Sequence, residues 1–301
     1  MTRQYATAQN FSQSNCIVIK PERTTNFLIE RCIETELQLM RGVPIVTTSW
    51  DDGDPKDLKV ADLLRSRGLC GTFYVPMIGY LGRKTLTNAD LRALSDQGLE
   101  VGGHSVSHKN LPNLTPEQLD QEVGTCKQKL EQITARKVVM FCYPNGRYNR
   151  EVVRHVQKAG YHGARTVRML SIRTEFLPFE MPTTMQAYPH STAAYIRNVA
   201  RARNAPALLN YVRRLRQLRS WVELGMQLFR ETMEHGGIWH LYGHSWEIEE
   251  LNLWSGLREL LDYVSHQNGV RYVNNGQLLK YNSAGQIASG TPANREIASP
   301  A

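Results

Sequence analysis

The stretch Val43-Pro44-Ile45-Val46-Thr47-Thr48-Ser49-Trp50-Asp51-Asp52-Gly53 decides the fold. Residues 43–50 form an apolar, β-branched run of strand length, which stops on two adjacent carboxylates and a glycine. Residues 55–67 follow with Leu58, Ala61 and Leu64 at helical spacing, and Gly68 stands where a helix C-cap belongs. A strand that feeds a helix through a short polar turn is the opening of a βαβ unit.

Working outward, the same alternation recurs. Strands are expected at 71–75, 100–103, 138–141, 161–164, 237–242 and 270–273, and helices at 87–97, 115–133, 149–159 and 254–266. The helix at 115 begins Thr115-Pro116-Glu117-Gln118, an N-cap, a proline at the first helical position and Gln at the third. Strands and helices in strict alternation give a parallel sheet, closed into a barrel or doubly wound. One domain over 42–280 is expected, preceded by an extension (1–41) and followed by a flexible tail rich in Ser, Gly and Pro (281–301). Segment 193–233 lacks strand signals. Its centre sets Leu208, Tyr211, Leu215, Leu218 and Val222 at helical spacing with Arg213, Arg214, Arg216 and Arg219 mostly opposite, which predicts an amphipathic basic helix.

Composition narrows the function classes. With 41% hydrophobic and 21% charged residues in 301, the chain is that of a folding globular protein, not a disordered one. The five cysteines are odd in number and form no C-x-x-C pair, which argues against a disulfide framework and a thiolate zinc site. The N-terminus is polar with no apolar core of a secretory signal, and no run approaches a membrane span, so a cytoplasmic protein is the expectation. The net charge of +8 is concentrated in seven arginines between Arg197 and Arg219. Such a segment suits a phosphate or an anionic membrane surface, through Arg213, Arg214 and Arg216, although a merely solvated face is the plainer reading. Nothing resembles a nucleic-acid-binding motif, and no nucleic acid partner is expected. The sequence leaves the oligomeric state open.

The polar residues cluster where strands end, the edge at which parallel barrels build active sites. Asp51 and Asp52 close the first strand. Asp-Asp-Gly is also ordinary turn chemistry, so this pair decides nothing alone. The strand at 100–103 runs into His104-Ser105-Val106-Ser107-His108, and two histidines four apart reach one ion if the segment is a helical turn. Together these segments supply two imidazoles and one or two carboxylates, the donor set of an open, catalytic divalent site; a neighbouring carboxylate then suits the removal of a proton from water. The strand near 141 ends in Phe141-Cys142-Tyr143-Pro144-Asn145-Gly146, a turn whose backbone N–H suits an oxyanion. The strand near 242 ends in Gly243-His244-Ser245-Trp246-Glu247, and its histidine suits protonation of a leaving amine.

These motifs, in this order over about 43–279, resemble the polysaccharide deacetylase family, the NodB-like carbohydrate esterases. The resemblance implies a distorted (β/α) barrel with an incomplete strand count and removal of an N-acetyl group from an N-acetylated sugar or glycoconjugate. It implies Asp51 as general base, Asp52, His104 and His108 as metal ligands, Asn145 at the oxyanion hole and His244 as general acid. The implied cofactor is one divalent ion, Zn2+ foremost, with Co2+, Ni2+ or Mn2+ as alternatives. Tyr143 and Trp246 are candidate walls for a sugar ring, with ordinary packing the plainer reading. Two departures stand out. Cys142 occupies the place of an arginine that orients the catalytic aspartate, with Arg147 and Arg165 as possible substitutes, and the fourth motif is not found between Tyr161 and Pro182. Rival readings are a hydrolase of a non-sugar amide or imide, a basic binding protein and an inactive barrel.

Overall fold

A computed structural model describes residues 42–202 and 204–282. The expected extension, and the tail from 283 on, lie outside the described residues. The first strand, β1 (Pro44–Asp51), is buried along nearly its whole length, as a central strand of a parallel sheet must be. It is followed in chain order by α1 (Asp57–Arg65), β2 (Thr72–Val75), α2 (Asn88–Asp96), β3 (Glu100–Gly103), α3 (Pro116–Asp120), α4 (Cys126–Thr134), β4 (Met140–Cys142), α5 (Arg150–Lys158), β5 (Gly163–Arg165) and β6 (Met185–Gln186). Then come α6 (Thr192–Arg201), α7 (Ala205–Asn210), α8 (Trp221–His235), β7 (Gly237–Gly243), α9 (Ser245–Glu250), α10 (Trp254–Val264), β8 (Arg271–Tyr272) and α11 (Asn275–Leu278).

All strand pairs are parallel, in the order β5-β4-β3-β2-β1-β7-β6. Strand β8 adds to the N-terminal half of β1, at Ile45 and Val46, below the residues that pair with β2. The path runs from β5 to β6 without closing, so the fold is the distorted (β/α) barrel of incomplete strand count that the family resemblance implies.

Side-chain alternation sorts the sheet into two faces. Val46, Trp50, Phe73, Val75, Val101, Phe141, Ala164, Trp239 and Leu241 point outward into one large apolar cluster shared with the helices. Ile45, Tyr74, Met140, Cys142 and Ile238 point inward and form a smaller cluster with Met181, Val273 and Leu278. Interior polar groups are paired among themselves: the Thr47 hydroxyl donates to the Asn275 side-chain oxygen (2.9 Å), whose amide nitrogen donates to the Tyr74 hydroxyl (2.9 Å).

Two local readings are corrected, and one short strand was not foreseen. The amphipathic basic helix is not continuous: α7 runs into a π turn (Tyr211–Leu215), the chain breaks, and Ser220 caps α8 by accepting from the Glu223 N–H. The two-residue β6 carries too short a pattern for any periodicity to reveal. The expected helix at 115–133 is interrupted by a π turn at Gln121–Thr125.

Candidate metal and acid-base site

The inward alternation that builds the barrel interior also places the site. On β1 it passes through Ile45, Thr47 and Ser49 to Asp51; on β3 through Gly102 to His104; on β4 through Met140 to Cys142; on β5 to Arg165; and on β7 through His240 and Tyr242 to His244. Each inward row therefore ends on a polar side chain at the C-terminal rim. Of these, Asp51, His104, Tyr242 and His244 line, with Asp52, Tyr80, His108, Tyr143, Asn145, Gln186, His190, Trp246 and Glu247 among others, a cleft of about 370 Å³.

Asp51 and Asp52 are neighbours, and in extended backbone their side chains would face opposite sides of the sheet. A left-handed Asp52 (φ 75°) followed by a left-handed Gly53 (φ 61°) turns the chain at the strand end, so both carboxylates reach the same cleft. The two histidines do not lie on a helical turn as expected. His104 to His108 is a loop with left-handed Ser105 (φ 65°) and His108 (φ 53°). Glu122, from the π turn, holds that loop: its carboxylate accepts from the Val106 N–H (2.9 Å), the Ser107 N–H (2.8 Å) and the Ser107 hydroxyl.

The donor set fits a divalent cation. Asp52 Oδ1 is 3.3 Å from His108 Nε2 and 3.6 Å from His104 Nε2, the separations of atoms that share one ion. Asp52 Oδ2 is engaged by the Trp246 indole N–H (2.9 Å), while Oδ1 is buried without a hydrogen-bond partner. His104 Nδ1 lies 2.8 Å from the Cys142 carbonyl, which only accepts, so the proton sits on Nδ1 and Nε2 is aimed at Asp52. Burial drives the His104 pKa down, but Cys142 and the Asp52 and Asp51 carboxylates outweigh it and raise the pKa well above the usual imidazole value: the cluster calls for positive charge. A second cluster, Asp51, His104 and Cys142, also has metal-ligating atoms close together. It is a poor site, because both Asp51 oxygens are taken by Arg165 and burial pushes the Cys142 thiol up, keeping it neutral.

The arginine missing from the third motif has a substitute. Cys142 and Arg165 are register partners on β4 and β5, and the fully buried Arg165 reaches past the small thiol to donate from one nitrogen to both oxygens of Asp51. Its guanidinium lies over the rings of Tyr242 (4.7 Å) and Tyr74 (5.4 Å). Burial opposes ionisation of Asp51, yet Arg165, His104 and His244 hold its carboxyl below the usual range. Of the two arginines left open by the sequence, Arg165 is the one in place; Arg147 is exposed.

His244 Nε2 stands 3.8 Å from Asp51 Oδ2 and 3.9 Å from Asp52 Oδ2. Its other nitrogen, Nδ1, is 2.6 Å from Glu247 Oε2, and that oxygen also accepts from the Gln186 amide (2.9 Å). Burial lowers the His244 pKa, but the Glu247 hydrogen bond and the Asp51 charge prevail and raise it. Glu247 and Gln186 escaped the sequence reading. Glu247 had a legible signal, a carboxylate three residues after a histidine at a helix start; Gln186, on the two-residue β6, had none.

The remaining candidates are placed as follows. Asn145 is exposed at the cleft in a left-handed turn (φ 55°) over Pro144–Gly146. Tyr143 lines the cleft but is fully buried, its ring stacked on Tyr148 (4.5 Å) and its hydroxyl donating to the Phe179 carbonyl (3.0 Å). Trp246, besides its bond to Asp52, lies beneath Arg83 (4.2 Å), so both tryptophan and tyrosine are fixed parts of the wall. Arg213, Arg214 and Arg216 are exposed and none lines this cleft.

The fold is that of the NodB-like barrels. Residues 38–164 match the family model described as polysaccharide deacetylase. It is 29% identical over 119 residues to the peptidoglycan-N-acetylglucosamine deacetylase of Bacillus cereus, covering 39% of this chain and 54% of that protein. It is 26% identical over 104 residues to the peptidoglycan-N-acetylmuramic acid deacetylase PdaA of Bacillus subtilis, covering 34% and 38%. The chain thus spans roughly 38% to 54% of the length of these curated relatives. The fold is shared with a Mycobacterium smegmatis protein assigned provisionally to the polysaccharide deacetylases, at TM-score 0.57 and 15% identity over 86% of this chain and 96% of that one. The Xyl-CE4 domain of a multidomain xylanase from the hindgut metagenome of Trinervitermes trinervoides superposes at TM-score 0.50 and 13% identity, over 79% and 90%. Among the described residues no helix is long and apolar enough to cross a membrane.

Proposed function

We propose that this chain is a metal-dependent deacetylase that hydrolyses the N-acetyl amide of an N-acetylated sugar or glycoconjugate, releasing acetate and a free amine. The observation that carries the reading is the buried, unpartnered Asp52 Oδ1 facing two imidazole nitrogens at 3.3 and 3.6 Å, beside a second carboxylate and a third histidine. Two relatives named for deacetylation of N-acetyl sugars in peptidoglycan support the reaction class.

Asp52, His104 and His108 would hold the ion, Zn2+ foremost. A bound divalent cation supplies Lewis-acid polarisation of the acyl oxygen and eases ionisation of water at neutral pH. The chain's own groups do the rest. Asp51, kept as the carboxylate by Arg165, accepts a proton from the attacking water. The Asn145 backbone N–H, in a turn that lines the cleft, suits the charge that develops on the acyl oxygen. His244, held by Glu247 and kept protonated by it, donates to the nitrogen as the C–N bond breaks. Walls at the buried Tyr143 and the half-buried Trp246 exclude bulk water from one side of the cleft.

Acetate release by metal-loaded protein tests this on N-acetylglucosamine oligomers beside simple aliphatic amides and imides. Wild type is expected to act on the sugars, with Asp51→Asn slowed by at least about 100-fold at unchanged metal content and Asp52→Ala losing the ion. Retention of full activity by Asp51→Asn overturns the mechanism, and a preference for the simple amides overturns the substrate class.

A further inference from the structure

The cleft has a basic wall that the reaction does not use. Four residues of α6, Ala194, Arg197, Asn198 and Arg201, line it at spacings i, i+3, i+4 and i+7, so one stripe of the helix faces the cleft while Tyr195 and Val199 face the core. Ser191 starts the helix by accepting from the Ala194 N–H. Asn198 fixes the stripe's direction: its amide nitrogen donates to the Val167 carbonyl (2.8 Å), and its oxygen accepts from the Met169 N–H (2.8 Å). Val167 and Met169 themselves line the cleft, so the helix is fastened to its wall.

Arg197 and Arg201 flank Asn198 on this stripe, one turn apart. Among the described residues, neither forms an ion pair with a carboxylate. The acids of the cleft are committed elsewhere: Asp51 to Arg165, Asp52 to Trp246 and the two histidines, Glu247 to His244 and Gln186. The His190 imidazole, whose pKa burial and the Arg197 charge lower against the pull of Glu247, has its Nε2 2.8 Å from the Gln186 oxygen and supplies no anion to pair with Arg197. A place in the last turn of a helix accounts for Arg201 through the helix dipole. It does not account for Arg197 or for the shared facing of both into the cleft.

We propose that Arg197 and Arg201 form a subsite for an anionic oxyacid group, phosphate or carboxylate, carried by the substrate at a position away from the amide that is cleaved. The proposal rests on the deacetylase reading and narrows its substrate class from N-acetylated sugars in general to acidic ones. Two guanidinium groups spaced along a fixed helix suit multidentate recognition of such a group.

The test uses metal-loaded protein and three probes built on one N-acetylated aminosugar: the neutral methyl glycoside, its phosphate monoester and its carboxylate-bearing ether. The readouts are kcat/KM for acetate release and, separately, binding of each probe by calorimetry. The wild type is expected to favour one or both acidic probes by 10- to 100-fold in kcat/KM. Arg197→Gln with Arg201→Gln is expected to reduce that ratio to near one, and a larger effect on the phosphate or on the carboxylate identifies the group. A control, Arg213→Gln with Arg214→Gln, removes the same charge outside the cleft and leaves the ratio intact; a control that lowers it equally assigns the preference to long-range attraction and overturns the subsite. Equal use of all probes by the wild type, or a preference that survives the Arg197 and Arg201 changes, also overturns it. If no probe is hydrolysed but acidic probes still bind in an Arg197- and Arg201-dependent way, the deacetylase reading fails and the subsite stands; if probes are hydrolysed without such binding, the reverse holds.

Discussion

Cys142 and Arg165 show how a single residue's job is moved without losing its chemistry. The two are side by side on adjacent parallel strands, and the short thiol leaves a gap that the longer side chain crosses to reach Asp51. What matters to a buried carboxylate is the charge beside it, and breaking such a pair costs about 3–5 kcal/mol because one charge is left without a partner. The same economy of position places Glu247 beside His244, from three residues along the same chain. Glu247→Gln removes the charge that raises the His244 pKa. A general acid acts only while protonated, so the basic limb of the kcat–pH profile is expected to move to lower pH, with kcat down about 10- to 100-fold. An unmoved basic limb in acetate-release assays would show that His244 is not the group titrating there.

Among the elements, the π turn between α3 and α4 has a defined effect. One additional residue in the turn shifts the helix face, and Glu122 is aimed at the loop that carries both histidines. That loop has two left-handed residues other than glycine, a conformation that persists only when neighbours over-determine it. Glu122→Ala leaves the Val106 and Ser107 N–H groups without their acceptor. Metal affinity is expected to fall about 10- to 100-fold, as for other changes behind a ligand, measured by competition with a chelator of known affinity. Unchanged affinity would mean that the loop keeps its shape without the carboxylate.

At the scale of the whole molecule, the barrel interior buries polar groups beside its apolar cluster, and their cost appears in acid. His240 is buried between Ser49, whose hydroxyl is 2.9 Å from Nε2, and the Pro182 carbonyl, 3.2 Å from Nδ1. The carbonyl only accepts, so Nδ1 carries the proton and Nε2 accepts from Ser49. Burial, with the nearby Arg165 charge, pushes the His240 pKa down to about 3. The folded state therefore excludes a proton that the unfolded chain takes up near pH 6.5. The contribution of this histidine is complete above pH 6.5 and is lost as pH falls from there toward 3. Between pH 7 and 5 it amounts to about 2 kcal/mol. Urea unfolding at the two pH values is expected to show that difference in the wild type and a flatter dependence in His240→Gln; equal slopes would show that the acid sensitivity lies elsewhere.

The sequence by itself determined the alternation of strands and helices, because periodicity and capping are local: the strand at 100–103 and the cap at Thr115 are where the residues place them. It also picked out Asp51, Asp52, His104, His108 and His244, since reactive side chains at strand ends stand out against the apolar runs before them. Only the tertiary structure decided what joins them. Strand β4 begins at Met140 because Val138 is held by side chains, its N–H by Glu131 and its carbonyl by Lys127. The basic helix was overestimated because apolar spacing continues across the break that Ser220 caps. Arg165, Gln186, Arg197 and Arg201 owe their roles to which strands are neighbours and which helix face meets the cleft. Those are long-range facts fixed by burial of the whole sheet, and no local pattern carries them.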